Sequence, residues 1–380
     1  MTEPKSLVHQ PSQDLAIESK NAFASVDAAR GVAASLVLIH HLTVFFPGAF
    51  KTLLGHNTLA AQALNVLSDL NTEAVMLFFV ISGFCIRSSS QKADFARWAD
   101  VIHYGRRRFA RIVPLYWFTL AFTGAAGAII GLTADHAFSL ETLLGNLSFL
   151  QSSDSARGTW FAPYGLNGPL WSISYEVFYY VLFPFVLIGE RGLGIRSASL
   201  SLVLAFVFSI VAFTAYSLAP NPIMLFATYY CVWHLGVCAF DVLQNPGETR
   251  VALAVTVGAV IVISAIIGWH TSANLANIRN GAIIAALWIA AQAWPVARAF
   301  GALVPVGKII GGFARIGGIS YGLYLLHHPL LRLVSTLFGD TITTLALAII
   351  TALIVATLAE AGGLHVKLLI LRFWAVSARA

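Results

Sequence analysis

Residues 198–219 read ASLSLVLAFVFSIVAFTAYSLA, twenty-two residues without a charged side chain. A helix needs roughly 20 mostly apolar residues to cross a hydrocarbon core about 30 Å thick, because it rises about 1.5 Å per residue. This stretch therefore predicts a membrane-spanning helix. Residues 222–241, 251–269 and 279–297 repeat the pattern with at most one acidic or basic side chain each, so the prediction extends well beyond one segment.

The composition of the whole chain excludes a soluble fold. Of the 380 residues, 58% are hydrophobic and 11% are charged, whereas an ordinary soluble domain has roughly 25% charged residues. Because so few charges could not cover the surface of a soluble protein, lipid must cover it. We therefore predict an all-α integral membrane protein, and we set aside nucleic-acid binding and a free cytosolic role.

Ten segments are apolar and long enough to be interpreted as spans. The second is less clear, because its strongly apolar part, residues 74–86, is short. The ninth contains two histidines and Arg332, which lower its hydropathy. The predicted spans are residues 31–48, 68–87, 110–132, 169–188, 198–219, 222–241, 251–269, 279–297, 316–338 and 341–360.

The distribution of positive charge predicts the orientation. If the N terminus and the even-numbered loops share one side, that side carries 19 of the 23 basic residues, and lysine and arginine are enriched in cytoplasmic loops. We therefore expect a cytoplasmic tail over residues 1–30, a transmembrane domain over residues 31–365 and a second cytoplasmic tail over residues 366–380. Residues 1–30 lack the apolar core of a cleaved signal, so the first span is expected to be an uncleaved signal-anchor.

The first span places Arg30 and His41 on one face. They are eleven residues apart, which leaves them within about 20° of each other around the helix and about 16 Å apart along it. With Arg30 at the cytoplasmic interface, His41 lies near the middle of the bilayer, where ionisable groups usually line a cavity or pathway. A functional His41 is favoured over one that only hydrogen-bonds a neighbouring helix. His40 points about 100° away, and a structural role is favoured for it.

Two further motifs occur in the second and third spans. Ser82-Gly83 is a small pair that lets two helices approach closely, and packing is favoured over a backbone site that lines a ligand tunnel. Arg108 and Arg111 are three residues apart, so both face the same way on a helix. Guanidinium groups suit phosphate oxygens, but a cytoplasmic charge cluster explains a basic run here equally well.

The fourth span opens with polar and aromatic side chains. Ser172, Glu176 and Tyr179 share one helical stripe, and Trp171 comes directly before them. Glu176 is the one carboxylate well inside a predicted span. We interpret it as orienting a catalytic imidazole or binding a sugar hydroxyl, with the structural partner of an arginine as the alternative.

The ninth span contains Ser320, Tyr324 and the pair His327-His328. Ser320, Tyr324 and one of the histidines stack along one side, and two adjacent histidines are not expected to point inward together. Which of the two faces the site stays open. No acid–histidine cluster has metal-ligand spacing, and the three cysteines follow no such spacing either, so no metal is predicted.

These stretches in this order resemble the membrane acyltransferase-3 family, whose members O-acylate cell-surface carbohydrates and related acceptors. The matching segments are residues 27–31 through His41, 77–84, 108–111, 171–180 and 320–329. Two positions depart from the family pattern. Met76 stands where an acidic residue often precedes Leu-Phe-Phe, and Val177 replaces the second of two paired acids in the fourth span.

The resemblance implies a ten-helix fold in the bacterial inner membrane. It also implies acyl transfer from cytoplasmic acyl-CoA, with acetyl-CoA favoured, to an extracytoplasmic carbohydrate or glycolipid acceptor. The family's arginine-x10-histidine pair falls on Arg30 and His41, and its arginine-x-x-arginine falls on Arg108 and Arg111. Whether His41 is a general base or itself carries the acyl group stays open.

The predicted site combines the residues and the resemblance. The expected catalytic residues are His41 and Glu176, the expected acyl-CoA-binding residues are Arg30, Arg108, Arg111, Ser82 and Gly83, and the expected acceptor-binding residues are Trp171, Ser172, Tyr179, Tyr324, His327 and His328. The alternative function is a polytopic transporter or flippase, in which buried histidines and Glu176 couple transport to protons. No inverted repeat is detectable, and the arginine pair would have no role in a transporter, so the enzyme is favoured.

Overall fold

The computed structural model describes residues 11–55, 58–269, 272–293 and 304–377 of the chain. Within these ranges the chain is helical, with an isolated bridge between Gln151 and Phe161 and no strand. The all-α prediction is therefore confirmed. The helices are α1 (Pro11–Phe45), α2 (Pro47–Leu54), α3 (Leu59–Asp69), α4 (Asn71–Ser89), α5 (Trp98–Ile129), α6 (Leu140–Leu147), α7 (Trp171–Gly192), α8 (Ala198–Leu218), α9 (Pro222–Thr228), α10 (Tyr230–Gln244), α11 (Thr249–Trp269), α12 (Ala273–Ala293), α13 (Val304–Gly318), α14 (Ser320–Phe338) and α15 (Ile342–Ser377).

Eight segments of the described chain are long and apolar enough to cross a membrane. They correspond to the first seven predicted spans and the tenth. The ninth predicted span does form a helix, α14, but its histidines and Arg332 keep its hydropathy too low for it to count among the eight. The eighth predicted span continues into residues 294–297, which lie outside the described residues, so the count of ten stays a prediction. The eight segments are Ser25–Phe45, Asn71–Ser89, Trp98–Ile129, Gly168–Gly192, Ala198–Leu218, Pro222–Gln244, Pro246–Ile267 and Ile342–Trp374.

The packing of five helices around one space positions the functional residues. Helix α1 contacts α4, α13 and α14, while α14 also contacts α5 and α15. Helix α4 contacts α7, α10 and α12. Helices α1, α4, α5, α7 and α14 therefore meet around a common interior, and α10, which is itself buried in the core, packs against α4.

Glycines let α4 and α10 cross with their backbones nearly touching. A Cβ atom added at Gly83 would lie 2.0 Å from the carbonyl oxygen of Trp233, and one added at Gly236 would lie 1.8 Å from that of Val80. Backbone atoms at this distance cannot move aside cheaply, so both positions require glycine. This crossing is the packing role that the sequence favours for Gly83, because its missing side chain allows the approach; the assignment of Gly83 to acyl-CoA binding stays a prediction.

Prolines inside α7 and α14 create links to neighbouring elements. Proline has no N–H, so the carbonyl four residues earlier loses its partner within the helix. Pro184 releases the carbonyl of Tyr180 in this way, and the Tyr104 hydroxyl of α5 donates to it at 3.1 Å. A released carbonyl in lipid must find a partner in the protein, so the link fixes α5 against α7.

The second released carbonyl attaches the loop before α7 to α14. Pro329 leaves the carbonyl of Leu325 without its helical partner, and the side chain of Asn167 donates to that carbonyl at 3.1 Å. Asn167 is fully buried. This bond fixes the loop at the level of His327 and His328, which lie between Leu325 and Pro329 in the chain.

The Asn167–Leu325 link gives a testable prediction. Asn167→Ala leaves a buried carbonyl without a donor, so we expect the free energy of unfolding to fall by about 1–3 kcal/mol. Pro329→Ala restores an N–H inside α14, so the same asparagine substitution should cost less in that background. Thermal denaturation in detergent of the wild type, both single variants and the double variant measures this coupling. An equal loss in both backgrounds would contradict the proposed link.

Candidate active site

A cavity of about 160 Å³ lies where α1, α4, α5, α7 and α14 meet. We call it the arginine cavity, because guanidinium groups from α1 and α5 form part of its wall. Serine, tyrosine and glutamate side chains add polar groups, and the rest of the wall is apolar. Its lining residues are Arg30, Val75, Phe78, Phe79, Ile81, Ser82, Cys85, Arg108, Arg111, Ile112, Ser172, Ile173, Glu176, Tyr180, Ser320, Tyr321 and Tyr324.

Two of the three arginines have carboxylate partners. Arg30 Nη1 lies 3.7 Å from an Asp27 oxygen one helical turn away. Arg111 Nη1 donates to Glu360 Oε2 of α15 at 3.1 Å, and the guanidinium also lies over the Tyr321 ring, 5.2 Å from its centroid. Both guanidinium groups therefore have fixed positions at the wall of the cavity.

Arg108 differs from the other two arginines because no carboxylate of the described chain lies within ion-pair distance of it. Its Nη2 donates to Ser89 Oγ at 2.8 Å, and its guanidinium lies 5.5 Å from the centroid of the Tyr104 ring. Its Nε is buried and has no hydrogen-bond partner among the described residues. A buried N–H donor without a partner is costly, and here it belongs to a cation that lines a cavity.

Glu176 is held by hydroxyl groups and does not contact the histidines. Its Oε1 accepts a hydrogen bond from Ser82 Oγ at 2.7 Å and a short one from the Tyr180 hydroxyl. Trp233 Nε1 donates to the same Ser82 oxygen at 3.2 Å. Within the described chain no hydrogen bond joins Glu176 to His41, so the prediction that Glu176 orients the imidazole is wrong.

The tyrosine that lines the cavity is Tyr180, not the predicted Tyr179. The Tyr179 hydroxyl donates to the Phe226 carbonyl at 3.1 Å, and its ring packs in the core. Residues four apart deviate by about 40° around a helix, and residues three apart by about 60° in the other sense. The cavity is lined by Ser172, Glu176 and Tyr180, which are spaced by four residues. Tyr179, three residues after Glu176, therefore points away from it.

Trp171, which was predicted to bind the acceptor, also lies outside the lining. Its ring packs at 6.3 Å from Phe79 and 5.0 Å from Tyr175, measured between centroids. Ser172, by contrast, lines the cavity, and its hydroxyl lies 2.7 Å from the Tyr324 hydroxyl. Tyr324 also donates to the Pro169 carbonyl at 2.9 Å. The fourth-span motif thus contributes Ser172 and Glu176 to the cavity wall.

His41, His327 and His328 form what we call the histidine cluster, and the His40 ring also lies 4.9 Å from that of His41. The His41 ring lies 4.9 Å from that of His327 and 5.0 Å from that of His328. The prediction that only one of the two adjacent histidines points inward is therefore wrong. Neighbouring side chains diverge by about 100° on a helix, and the His41 ring of α1 fits between them, so both make contact.

Hydrogen bonds to backbone carbonyls assign the tautomers of neutral His41 and His327. His41 Nδ1 lies 2.9 Å from the Val37 carbonyl, and His327 Nδ1 lies 2.8 Å from the Leu323 carbonyl. Carbonyl oxygens only accept, so both Nδ1 atoms bear hydrogen. His41 Nδ1 then also donates to His327 Nε2 at 3.2 Å. This arrangement leaves the lone pair of His41 on Nε2, which has no hydrogen-bond partner in the described part of the chain.

His40 has the structural role favoured from its position on the helix. Its Nδ1 lies 3.1 Å from the Ser68 carbonyl and 3.0 Å from the Asn71 side-chain nitrogen. These contacts attach α1 to the end of α3 and the start of α4. His40 therefore serves as a matched control for its neighbour His41.

Tyr324 connects the cavity to the histidine cluster. It lines the cavity, and its ring centroid lies 6.2 Å from that of His327, which is three residues further along α14. The imidazoles themselves are not part of the lining. Among the described residues, no group of three or more His, Cys, Asp or Glu side chains is arranged to hold a metal ion.

Several residues that form or hold the site were not identified from the sequence. Tyr180 follows Glu176 at i+4, a spacing that could have revealed it. Glu360 was placed at the end of the last predicted span, and its partner Arg111 is 249 residues away, so no local signal connects them. The Val37 carbonyl that fixes the His41 ring is backbone and carries no sequence signal.

Comparison with known proteins identifies the family. The family described as "Acyltransferase domain" matches residues 23–361. The chain belongs to the acyltransferase-3 family. The matched region of this acyltransferase-3 chain includes every lining residue of the arginine cavity, the histidine cluster and the distant partner Glu360.

A relative named as an acyltransferase aligns with part of this acyltransferase-3 chain. The segment is 34% identical over 126 residues to "Acyltransferase MdmB" of Streptomyces mycarofaciens. It covers 32% of this chain, and it spans only 30% of the length of that relative. No solved structure matches the chain.

Proposed function

We propose that this chain is an integral-membrane O-acyltransferase of the bacterial inner membrane. It transfers an acyl group, with acetyl favoured, from cytoplasmic acyl-CoA to a hydroxyl of an extracytoplasmic carbohydrate or glycolipid. The main support is one arrangement: Tyr324 lines a cavity with three arginines, and it lies one helical turn before His327 of a cluster in which His41 Nε2 has an available lone pair. Membership of the acyltransferase-3 family favours this function over transport.

The arginines fit the phosphate groups of coenzyme A. A guanidinium presents its N–H donors in a planar fork that matches phosphate oxygens. Arg108 has a buried Nε without a partner, and no carboxylate of the described chain neutralises it. A phosphate at the mouth of the arginine cavity would satisfy this donor, and the narrow pantetheine arm would then extend towards Tyr324 with its thioester near His41.

His41 Nε2 fits the role of general base. It accepts the proton of the acceptor hydroxyl while that oxygen attacks the thioester carbonyl. The carbon–sulfur bond then breaks, and the departing thiolate takes the proton back from Nε2, so His41 is regenerated. Throughout, His41 Nδ1–H donates to Val37 and His327, which holds the ring and stabilises its protonated form. In the acyl-enzyme alternative, the same Nε2 attacks the thioester first.

Label transfer tests the proposed function directly. Purified protein in lipid nanodiscs is incubated with radiolabelled acetyl-CoA and total bacterial envelope glycans. Transfer of label to glycan supports an acyltransferase that uses acetyl-CoA. Movement of glycan across a sealed membrane without any transfer of label would contradict the proposal and support the transporter.

Substitution of neighbouring histidines tests the general base. His41→Ala should lower the transfer rate by about 100-fold or more, which is the usual contribution of general base catalysis. His40→Ala should keep most of the activity, because that ring bonds to α3 and α4 and not to the cavity. Rates measured at equal amounts of folded protein make the comparison. Loss of activity in the His40 variant alone would contradict the assignment.

Lysine substitutions test the donor site. The double variant Arg108→Lys, Arg111→Lys keeps the charge but loses the guanidinium fork. We expect the Michaelis constant for acetyl-CoA to rise by about tenfold, with a smaller effect on the constant for the acceptor. The control is the double variant of two exposed cytoplasmic arginines, Arg97→Lys, Arg107→Lys, which should behave as the wild type. Equal Michaelis constants for acetyl-CoA in the two double variants would contradict phosphate binding. Arg108 and Arg111 would then serve only to set the orientation of the chain in the membrane.

A further inference from the structure

Arg332 of α14 is a half-buried cation without a carboxylate partner. No carboxylate in the described part of the chain lies within 4 Å of its guanidinium, although Asp135 attracts it from further away. Its Nη2 makes one long contact of 3.4 Å with the Leu166 carbonyl, and its buried Nε has no hydrogen-bond partner. An unsatisfied charge at this depth is costly, so an anion beside Arg332 would be stabilised.

A second unpartnered polar group lies one turn away. His328 is 8% exposed, and its Nδ1 is buried with no hydrogen-bond partner among the described residues. Phe45 of α1 connects the two side chains, because its ring centroid lies 5.1 Å from the His328 ring and 5.7 Å from the Arg332 guanidinium carbon. Two unsatisfied groups, one cationic and one neutral, therefore border the same aromatic ring beside His41.

The backbone opposite these groups has an uncommon conformation. Leu166 has a φ of 58°, in the left-handed region that a leucine rarely adopts. Its carbonyl is the one that contacts Arg332. Two residues later, a Cβ added at Gly168 would lie 4.0 Å from His328 Nε2, so this loop passes directly beside that ring. Strained backbone of this kind is concentrated at ligand-binding positions.

We propose that Arg332 and His328 form the binding subsite for an anionic group of the acyl acceptor. The acceptor is then a glycan that carries a carboxylate or a phosphate, and not a neutral sugar. The guanidinium of Arg332 binds the anionic oxygens, and His328 hydrogen-bonds a hydroxyl next to them. This inference rests on the proposed function, because it treats His41 as the place where the acceptor reacts.

The geometry limits where the anionic group lies in the acceptor. Arg332 follows His328 by four residues, about 6 Å along the helix axis, and the His328 ring lies 5.0 Å from the His41 ring. The anionic group therefore belongs to the sugar unit that bears the reacting hydroxyl, or to the unit beside it. The subsite lies on the side of the histidine cluster opposite the arginine cavity, as an acceptor from the other face of the membrane requires.

Equilibrium binding of small probes tests the subsite without knowledge of the full acceptor. The full chain is placed in nanodiscs of neutral phosphatidylcholine, with coenzyme A added to occupy the arginine cavity. The probes are methyl glucuronide, glucose 1-phosphate and neutral methyl glucoside. We expect the wild type to bind at least one anionic probe more tightly than the glucoside, and Arg332→Gln to weaken that binding by about tenfold or more. Arg332→Lys should keep part of it, because the positive charge remains.

Arg157→Gln is the matched control, since it removes one exposed positive charge from the loop before α7. It should bind the probes as the wild type does. Equal binding of charged and neutral probes by the wild type, or equal losses in Arg332→Gln and Arg157→Gln, would overturn the subsite. So would binding of phosphatidylglycerol that depends on Arg332 together with no binding of either anionic sugar probe in phosphatidylcholine, because the site would then hold a lipid headgroup.

Failure of the subsite and failure of the proposed function are distinguishable. Acetyl-CoA binding is measured with the same protein preparations before coenzyme A is added, and it also reports whether Arg332→Gln has folded. Absence of acetyl-CoA binding by the wild type would contradict the proposed donor, whatever the sugar probes do. Normal acetyl-CoA binding together with no preference for anionic probes would overturn the subsite alone.

Discussion

Polar groups buried in a bilayer have no water to bind, so the protein itself must supply each partner. This constraint explains much of the interior of the molecule. The carbonyl released by Pro329 accepts from Asn167, and the carbonyl released by Pro184 accepts from a tyrosine of another helix. The same requirement fixes the His41 ring, whose Nδ1–H has two acceptors, while the lone pair on Nε2 has no donor among the described residues. The hydrogen bonds of Nδ1 thus orient the ring, and with it the reactive Nε2.

The groups that are left unsatisfied are as informative as those that are paired. They include the Nε atoms of Arg108 and Arg332 and the Nδ1 atom of His328. Arg108 lines the arginine cavity, whereas the other two lie on the far side of the His41 ring. Cationic groups therefore stand on both sides of one imidazole. This arrangement suits a reaction in which an anionic donor and an acceptor arrive from opposite directions.

The sequence predicted the fold class and the positions of most spans because long apolar segments and few charges leave no alternative to lipid. It also predicted that Arg108 and Arg111 share a face, since helical spacing alone determines this. It did not identify Tyr180 in place of Tyr179 as the tyrosine in the cavity wall, because the direction of a cavity depends on tertiary packing. The contact of both His327 and His328 with His41 depends on the position of α1 relative to α14, which spacing within one helix cannot give.

The central claim is that donor and acceptor reach His41 from opposite faces of the membrane. The most direct measurement uses sealed vesicles of known orientation that contain the full chain and envelope glycans on the extracytoplasmic side. Radiolabelled acetyl-CoA, which is too polar to cross the bilayer, is supplied to one face at a time. The account predicts transfer of label only when acetyl-CoA is on the face that bears Arg30 and Arg108. Equal transfer from both faces, or transfer only from the opposite face, would contradict it.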